Sequence, residues 1–324
     1  MQRRHVIAAA LASGLGSPFV VKAQGSDRPI RLIVPFAPGG TGDLIPRLVA
    51  PAMAEILHQP VIVDNRSGAG GSVGALYVAR SLPDGLTLGV ATAGTHAIYP
   101  AVMKKPPYDP LKDFVAVSNL ARVPNVVSVH PSVPASDMRE FIALIRNPRS
   151  QLEFGSPGVG SLGHMMGELF KQATQGFMLH IPYRGAGPAL QDAVAGQVRV
   201  LFDNLPASLP HIKAGRLRAL AVAWPKRLTQ LPDVPTFAET GLPAVNGPAW
   251  FGLVAPPGTP APAVLRLQQA IVAAVSRPEI RARIEEMGAT PLGGTSDAFA
   301  HEMQAEYEKW KQVAAQGHIS LEAS

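Results

Sequence analysis

Arg31-Leu32-Ile33-Val34-Pro35-Phe36-Ala37-Pro38-Gly39-Gly40-Thr41-Gly42-Asp43 contains a strand, a glycine turn and the start of a helix. Leu32 to Phe36 is a short apolar run rich in branched residues, as a buried strand requires. Asp43 opens an apolar-periodic segment, Leu44 to Leu57, that predicts a helix. The glycines between them let the backbone bend sharply and let a ligand approach bare N–H groups. The helix behind presents unpaired N–H groups and the positive end of its dipole, which together favour an anion.

The same device recurs along the chain. Val61 to Val63 predicts a strand running into Asp64-Asn65-Arg66-Ser67-Gly68-Ala69-Gly70-Gly71-Ser72 and a helix from Val73 to Ser81. Leu86 to Ala91 predicts a third strand, ending in Thr92-Ala93-Gly94-Thr95-His96. Three parallel strands ending in such turns would line a crevice at the carboxyl edge of a sheet, where open α/β sheets bind ligands. Phe114 to Leu120 and Asn125 to His130 read as strands, with Pro124 and Pro131 bracketing the second, as suits a crossing between domains. Beyond it, Gly155-Ser156-Pro157-Gly158-Val159-Gly160-Ser161 and Tyr183-Arg184-Gly185-Ala186-Gly187 again follow strand patterns and open helices, and Val198 to Phe202 ends in Asp203-Asn204. Leu217 to Ala223 and Trp250 to Ala255 read as further strands, before a helical tail: Ala263 to Ser276, Pro278 to Met287 and Asp297 to Ala315. These alternations predict an α/β protein of two lobes. The first spans 24–124 and 253–324, the second 125–252.

Composition narrows the class. At 324 residues, with 47% hydrophobic and 16% charged, the chain suits two globular domains with sizeable cores. Residues 1–23 read as a leader: Arg3 and Arg4, an apolar run from Val6 to Leu15, and Val21-Lys22-Ala23 as cleavage site. The arginine pair fits general secretion and also suits twin-arginine export. Removing Arg3, Arg4 and Lys22 leaves 26 of 29 basic residues against 23 acidic ones, so the basic balance falls to +3. No block of Lys and Arg remains, which argues against a nucleic-acid surface. No later apolar stretch is long enough to span a bilayer. With no cysteine, disulfides and thiolate metal sites are excluded. A soluble, monomeric periplasmic protein is the expectation.

Gly158, Gly160 and Gly163 match the G-x-G-x-x-G dinucleotide fingerprint in form. About 20 positions on, where an NAD site wants an acid, stand Tyr183 and Arg184, so an NADP-binding oxidoreductase is the alternative reading. No G-x-S-x-G elbow falls on Ser156 or Ser161. His96, His130, His164, His180 and His211 lack metal spacing. Asp43, Asp192 and Asp203 read as caps and turn residues rather than an acid/base pair. No catalytic set, cofactor or metal site is predicted. One helix N-terminus contributes about 0.3–1 kcal/mol to anion binding, about 2 at best. Micromolar binding requires about 8 kcal/mol, so several turns must converge on one ligand.

The chain resembles the periplasmic receptors of tripartite tricarboxylate transporters, the Bug-type solute-binding proteins. Val34-Pro35-Phe36-Ala37-Pro38-Gly39-Gly40, Asp64 to Gly71, Gly94-Thr95-His96-Ala97-Ile98, Tyr108-Asp109-Pro110, Pro182-Tyr183-Arg184-Gly185, Phe202-Asp203-Asn204-Leu205-Pro206 and Ala255-Pro256-Pro257-Gly258-Thr259-Pro260 carry the resemblance, over essentially the whole mature chain. It implies a type II periplasmic-binding fold, two α/β lobes joined by two crossing segments and closing on a carboxylate. The acid would be a di- or tricarboxylate, an acidic amino acid or an aromatic acid, delivered to membrane transporter subunits or signalled to a sensor. Carried over, the first-lobe contacts are Ala37, Gly39, Gly40, Asp43, Thr92, Thr95 and His96. Those of the second lobe are Ser156, Gly160, Ser161, Tyr183, Arg184 and Asp203. Two positions depart from the family pattern: Gly42 replaces a hydroxyl residue, and Tyr99 stands where Asn is common.

Overall fold

The computed structural model describes residues 28–316 and 319–321; the expected leader and its cleavage site lie outside them. Two sheets organise the chain. In the first, β1 (Ile30–Val34) pairs in parallel with β2 (Val61–Asn65) and β3 (Thr87–Thr92). Beyond β3 come β10 (Ala249–Ala255), antiparallel, then β4 (Val115–Val123) and the short β11 (Thr290–Pro291). In the second, β6 (Glu153–Ser156) lies between β7 (Leu179–Pro182) and β8 (Val200–Asn204), both parallel to it. Then β5 (Asn125–Val129) runs antiparallel to β8 and pairs with β9 (Arg218–Ala223).

The two strand orders follow one plan. Each lobe sets its own first three strands as second, first, third, and then admits one antiparallel strand whose chain comes from the other lobe. That is the type II arrangement the resemblance implies. One crossing is β4 to β5 through Pro124; the other leads from β9 to β10. The expectation ended the second lobe at 252, but Ala249, Trp250, Phe251 and Gly252 pair with β4 or β3 inside the first sheet. The chain has already crossed at Asn246-Gly247-Pro248, where no strand forms. Asn125 clamps the crossings together: its side chain donates to Gly247 O at 2.7 Å and accepts from Asn204.

Helices cover both faces of each sheet, so the central strands β3, β5, β8 and β10 are buried on both sides. In the first lobe α1 (Thr41–Leu57), α8 (Ala261–Ser276) and α9 (Pro278–Glu286) bury one face through Ile45, Met53, Leu267 and Ile284. On the other, α2 (Ser72–Ala79), α3 (Tyr99–Val102) and α10 (Ser296–Gln316) enclose Ile33, Trp250 and Phe299. In the second lobe α4 (Met138–Arg146) and α5 (Leu162–Thr174) pack Phe141, Phe154, Phe170 and Phe202 together. Opposite lie α6 (Ala186–Val194) and α7 (Leu205–Lys213). The sequence reading missed α4, although it begins with a legible cap: Asp137 accepts from Glu140 N at 2.8 Å, and Glu140 from Ser136 N at 2.7 Å.

Candidate functional site

Between the lobes lies a partly open cavity of about 40 Å³, roughly the room of three waters. Its walls are helix beginnings. Gly40 and Gly42 belong to the start of α1, and Ser161, Leu162 and Gly163 to that of α5. Ala186 opens α6, and Asp203 and Asn204 lead into α7. The turn after β3 adds Thr92, Ala93 and Gly94, with Pro157 facing from the second lobe. Phe36, Ala249 and Phe251 form an apolar floor. No lysine, arginine or histidine is among these lining residues. The first N–H groups of a helix have no partner within it, so the starts of α1, α5 and α6 offer an anion dipoles and donors in place of a counter-charge; those of α7 are already used, Leu205 N donating to Pro124 O at 2.9 Å and Ala207 N to Thr41 Oγ1 at 3.3 Å, with Pro206 between them.

Gly40, Thr92, Ser161 and Asp203 are thus brought together as expected. Ser161 also caps α5, accepting from His164 N at 3.2 Å. Asp203 is buried, accepts from Ser208 Oγ at 2.9 Å through Oδ2, and leaves Oδ1 buried without a partner. Burial pushes its pKa up to about 7, against smaller opposing effects of the Ser208 and Asn204 hydrogen bonds.

The other expected contacts support the cavity from behind. Asp43 does not line it; its carboxylate accepts from Gly39 N at 3.1 Å, Asn65 Nδ2 at 2.8 Å and Arg47 Nε at 2.9 Å, and so shapes the turn. Burial opposes its ionisation, but these bonds outweigh it and hold the pKa below the usual value. Thr95 is wholly buried and exchanges hydrogen bonds with Thr92, Thr92 N donating to Thr95 Oγ1 at 3.1 Å. His96 points into the core, its ring 4.4 Å from that of Phe114 and its Nδ1 2.9 Å from Thr95 Oγ1. Burial lowers its pKa to about 3, so it stays neutral, and its Nε2 is buried without a partner.

In the second lobe Ser156 holds the turn above it. Its Oγ accepts from Gly158 N at 3.2 Å and meets His180 Nε2 at 2.6 Å. Gly160 N donates to His164 Nδ1 at 3.1 Å, and the rings of His164 and His180 stack at 3.9 Å. These two histidines, scattered in sequence, are positioning residues that spacing could not reveal. Tyr183 is spent on Asp192, donating at 2.8 Å. The Arg184 side chain is exposed and absent from the wall; its carbonyl accepts from Ala37 N at 3.2 Å across the lobes.

The fingerprint glycines serve packing. A Cβ on Gly163 would lie 2.4 Å from Phe202 O, on Gly158 3.1 Å from Gly70 Cα, and on Gly160 2.8 Å from the Tyr99 ring. Their space is filled by the neighbouring strand and the opposite lobe, and the Gly158 and Gly160 N–H groups already have partners. That arrangement does not fit a phosphate cradle. Tyr99, one departure from the family pattern, is therefore a lobe-to-lobe contact. Gly42, the other, makes room for two rings: a Cβ there would lie 2.9 Å from Phe36 and 3.3 Å from Phe251.

The family model described as "Tripartite tricarboxylate transporter family receptor" matches residues 45–318. BugT of Bordetella pertussis is 36% identical over 91% of this chain and 90% of its own. Among solved structures, Rpa4515 of Rhodopseudomonas palustris with adipate superposes with a TM-score of 0.86 at 38% identity, covering 91% of this chain and 99% of that one. MatC of the same organism, with bound malate, superposes at 0.85 and 34% identity, covering 88% and 98%. With the strand order, the converging helix starts and these matches in agreement, the chain belongs to the tripartite tricarboxylate transporter receptor family, whose members are periplasmic solute-binding receptors.

Proposed function

We propose that this protein is exported, loses its leader near Ala23, and captures a small organic carboxylate in the periplasm for a tripartite tricarboxylate-type transporter. The carrying observation is the cavity wall, in which four helices begin and no cationic side chain stands. Each helix start is worth about 0.3–1 kcal/mol to an anion, and hydrogen bonds to a charged group add about 1.5–3 each. Only their sum reaches the roughly 8 kcal/mol of micromolar binding. Both lobes contribute, so the ligand favours the state in which they meet.

The relatives' ligands, malate and adipate, support an acid of that size class. The cavity is lined from both lobes, so the lobes must part to admit the acid and meet again around it. The apolar floor of Phe36 and Phe251 favours an acid with an apolar body. Calorimetric titration of the exported protein against malate, adipate, aspartate, benzoate and NADPH tests the reading. Micromolar binding of at least one acid is expected, with none of NADPH. Binding of NADPH with no acid bound would overturn it.

A further inference from the structure

We propose that the Asp203 carboxyl carries a proton and donates its O–H to the ligand's carboxylate, so that this receptor takes up its organic acid together with a hydrogen ion. The inference rests on the carboxylate-receptor reading above and assigns the chemistry of one contact within it.

The difficulty is one of charge. An anionic ligand enters a cavity whose single ionisable lining residue is itself an acid. Two carboxylates in contact in a weakly polar site cannot both remain ionised, and one pKa rises until they share a proton. The geometry leaves a definite place for that proton. Oδ2 of Asp203 is occupied by the Ser208 hydroxyl at 2.9 Å, whereas Oδ1 is buried without a partner. Protonated on Oδ1, the side chain satisfies its orphan atom by donating to the ligand, and O–H···O⁻ bonds are among the stronger hydrogen bonds. An orphan acceptor would otherwise carry its full desolvation cost.

Among the described residues, the charged groups on the elements around Asp203 are engaged elsewhere or exposed. On α5, Lys171 pairs with Glu168 and His164 stacks on His180. On α6 and β6, Asp192 accepts from Tyr183 and Glu153 from Arg199. On α7, burial lowers the pKa of His211, and Lys213 is exposed. Across the cleft, Asp43 is held by Arg47. The acidity of Asp203 is set by its burial, with the Ser208 and Asn204 hydrogen bonds as the opposing influences, and sits near 7 before any ligand arrives. Below that pH the proton is in place; above it, binding must recruit one from solvent, and affinity falls by up to tenfold per pH unit.

The test is calorimetry with adipate, malate and benzoate between pH 6 and 8.5, in buffers of different ionisation enthalpy. The bound acid's affinity should be level near pH 6 and fall about tenfold by pH 8, with about one proton taken up per ligand at the higher pH. Asp203→Asn, which keeps a donor but cannot titrate, should bind with a level profile. Ser208→Ala should move the break upward, because it removes a bond that favours the ionised form. Level affinity and no proton uptake in the unaltered protein would overturn the inference while leaving the receptor reading intact, as would an Asp203→Asn profile identical to the wild type. Failure of these three acids and of aspartate at every pH would instead remove the receptor reading, and this inference with it.

Discussion

The methyl group of Ala186, at the start of α6, occupies the space that a side chain on Gly40, at the start of α1, would need: the two Cβ atoms would lie 2.7 Å apart. Gly40 therefore serves closure of one lobe on the other as well as approach of a ligand. Its backbone is ordinary, with φ −86° and ψ 168°; the strained conformation belongs to Gly39, at φ +91°.

Gly40→Val should consequently fold and melt within about 1 kcal/mol of the wild type, since no left-handed conformation is disturbed. Its ligand affinity should fall at least a hundredfold, because the lobes can no longer meet. Small-angle scattering with saturating adipate should show the radius of gyration falling for the wild type and unchanged for the variant. Wild-type affinity in a folded Gly40→Val protein would refute the closure role.

Gly187→Ala separates stability from closure in the same way. The position lies inside α6, where alanine is the better helix former by up to about 1 kcal/mol, yet its Cβ would lie 2.1 Å from Pro38 O of the other lobe. Thermal melting without ligand should hold or rise while affinity falls. A variant that loses both would show that the contact stabilises the fold rather than closing the cleft.

Arg184→Ala should change affinity less than twofold, because the side chain is exposed and the inter-lobe bond to Ala37 is made by its carbonyl. Titration beside the wild type checks this. A tenfold loss would restore the side chain to the ligand set.

Gly42→Ser reinstates the hydroxyl of the family pattern but drives a Cβ to within 2.9 Å of the Phe36 ring. The rings must move, weakening the apolar floor while adding a donor. The ratio of adipate to malate affinity should drop by a factor of roughly 3–10, the worth of one net hydrogen bond. Competition titration with the two acids reads the ratio directly, and an unchanged ratio would show that residue 42 does not select.

Acid stability follows from the buried histidines. Burial depresses His96 and His180 to about 3 from an ordinary 6.5, so the unfolded chain binds their protons first. Their contribution is complete above about pH 6.5 and is lost as pH falls from there towards 3, His96 alone by up to about 1.4 kcal/mol per unit. Melting temperature should decline over that window, and His96→Gln should decline less steeply. Parallel slopes would show that His96 is not responsible.

Local pattern alone determined the strands, the glycine turns and most helices, because apolar periodicity and turn chemistry act within a few residues. The run from Arg31 to Asp43 is legible for that reason, and Gly40, Thr92, Ser161 and Asp203 were found at the cavity wall from turn chemistry and family resemblance. Spacing could not reveal what each turn residue faces. Whether Asp43 meets a ligand or Gly39 N and Asn65, and whether His96 lines a cleft or packs on Phe114, depends on residues distant in the chain. Phe251 joins the cavity only because β10 returns to pair beside β3. The tertiary structure decided these assignments, since burial and hydrogen-bond partners are properties of the packed pair of lobes and of no single segment.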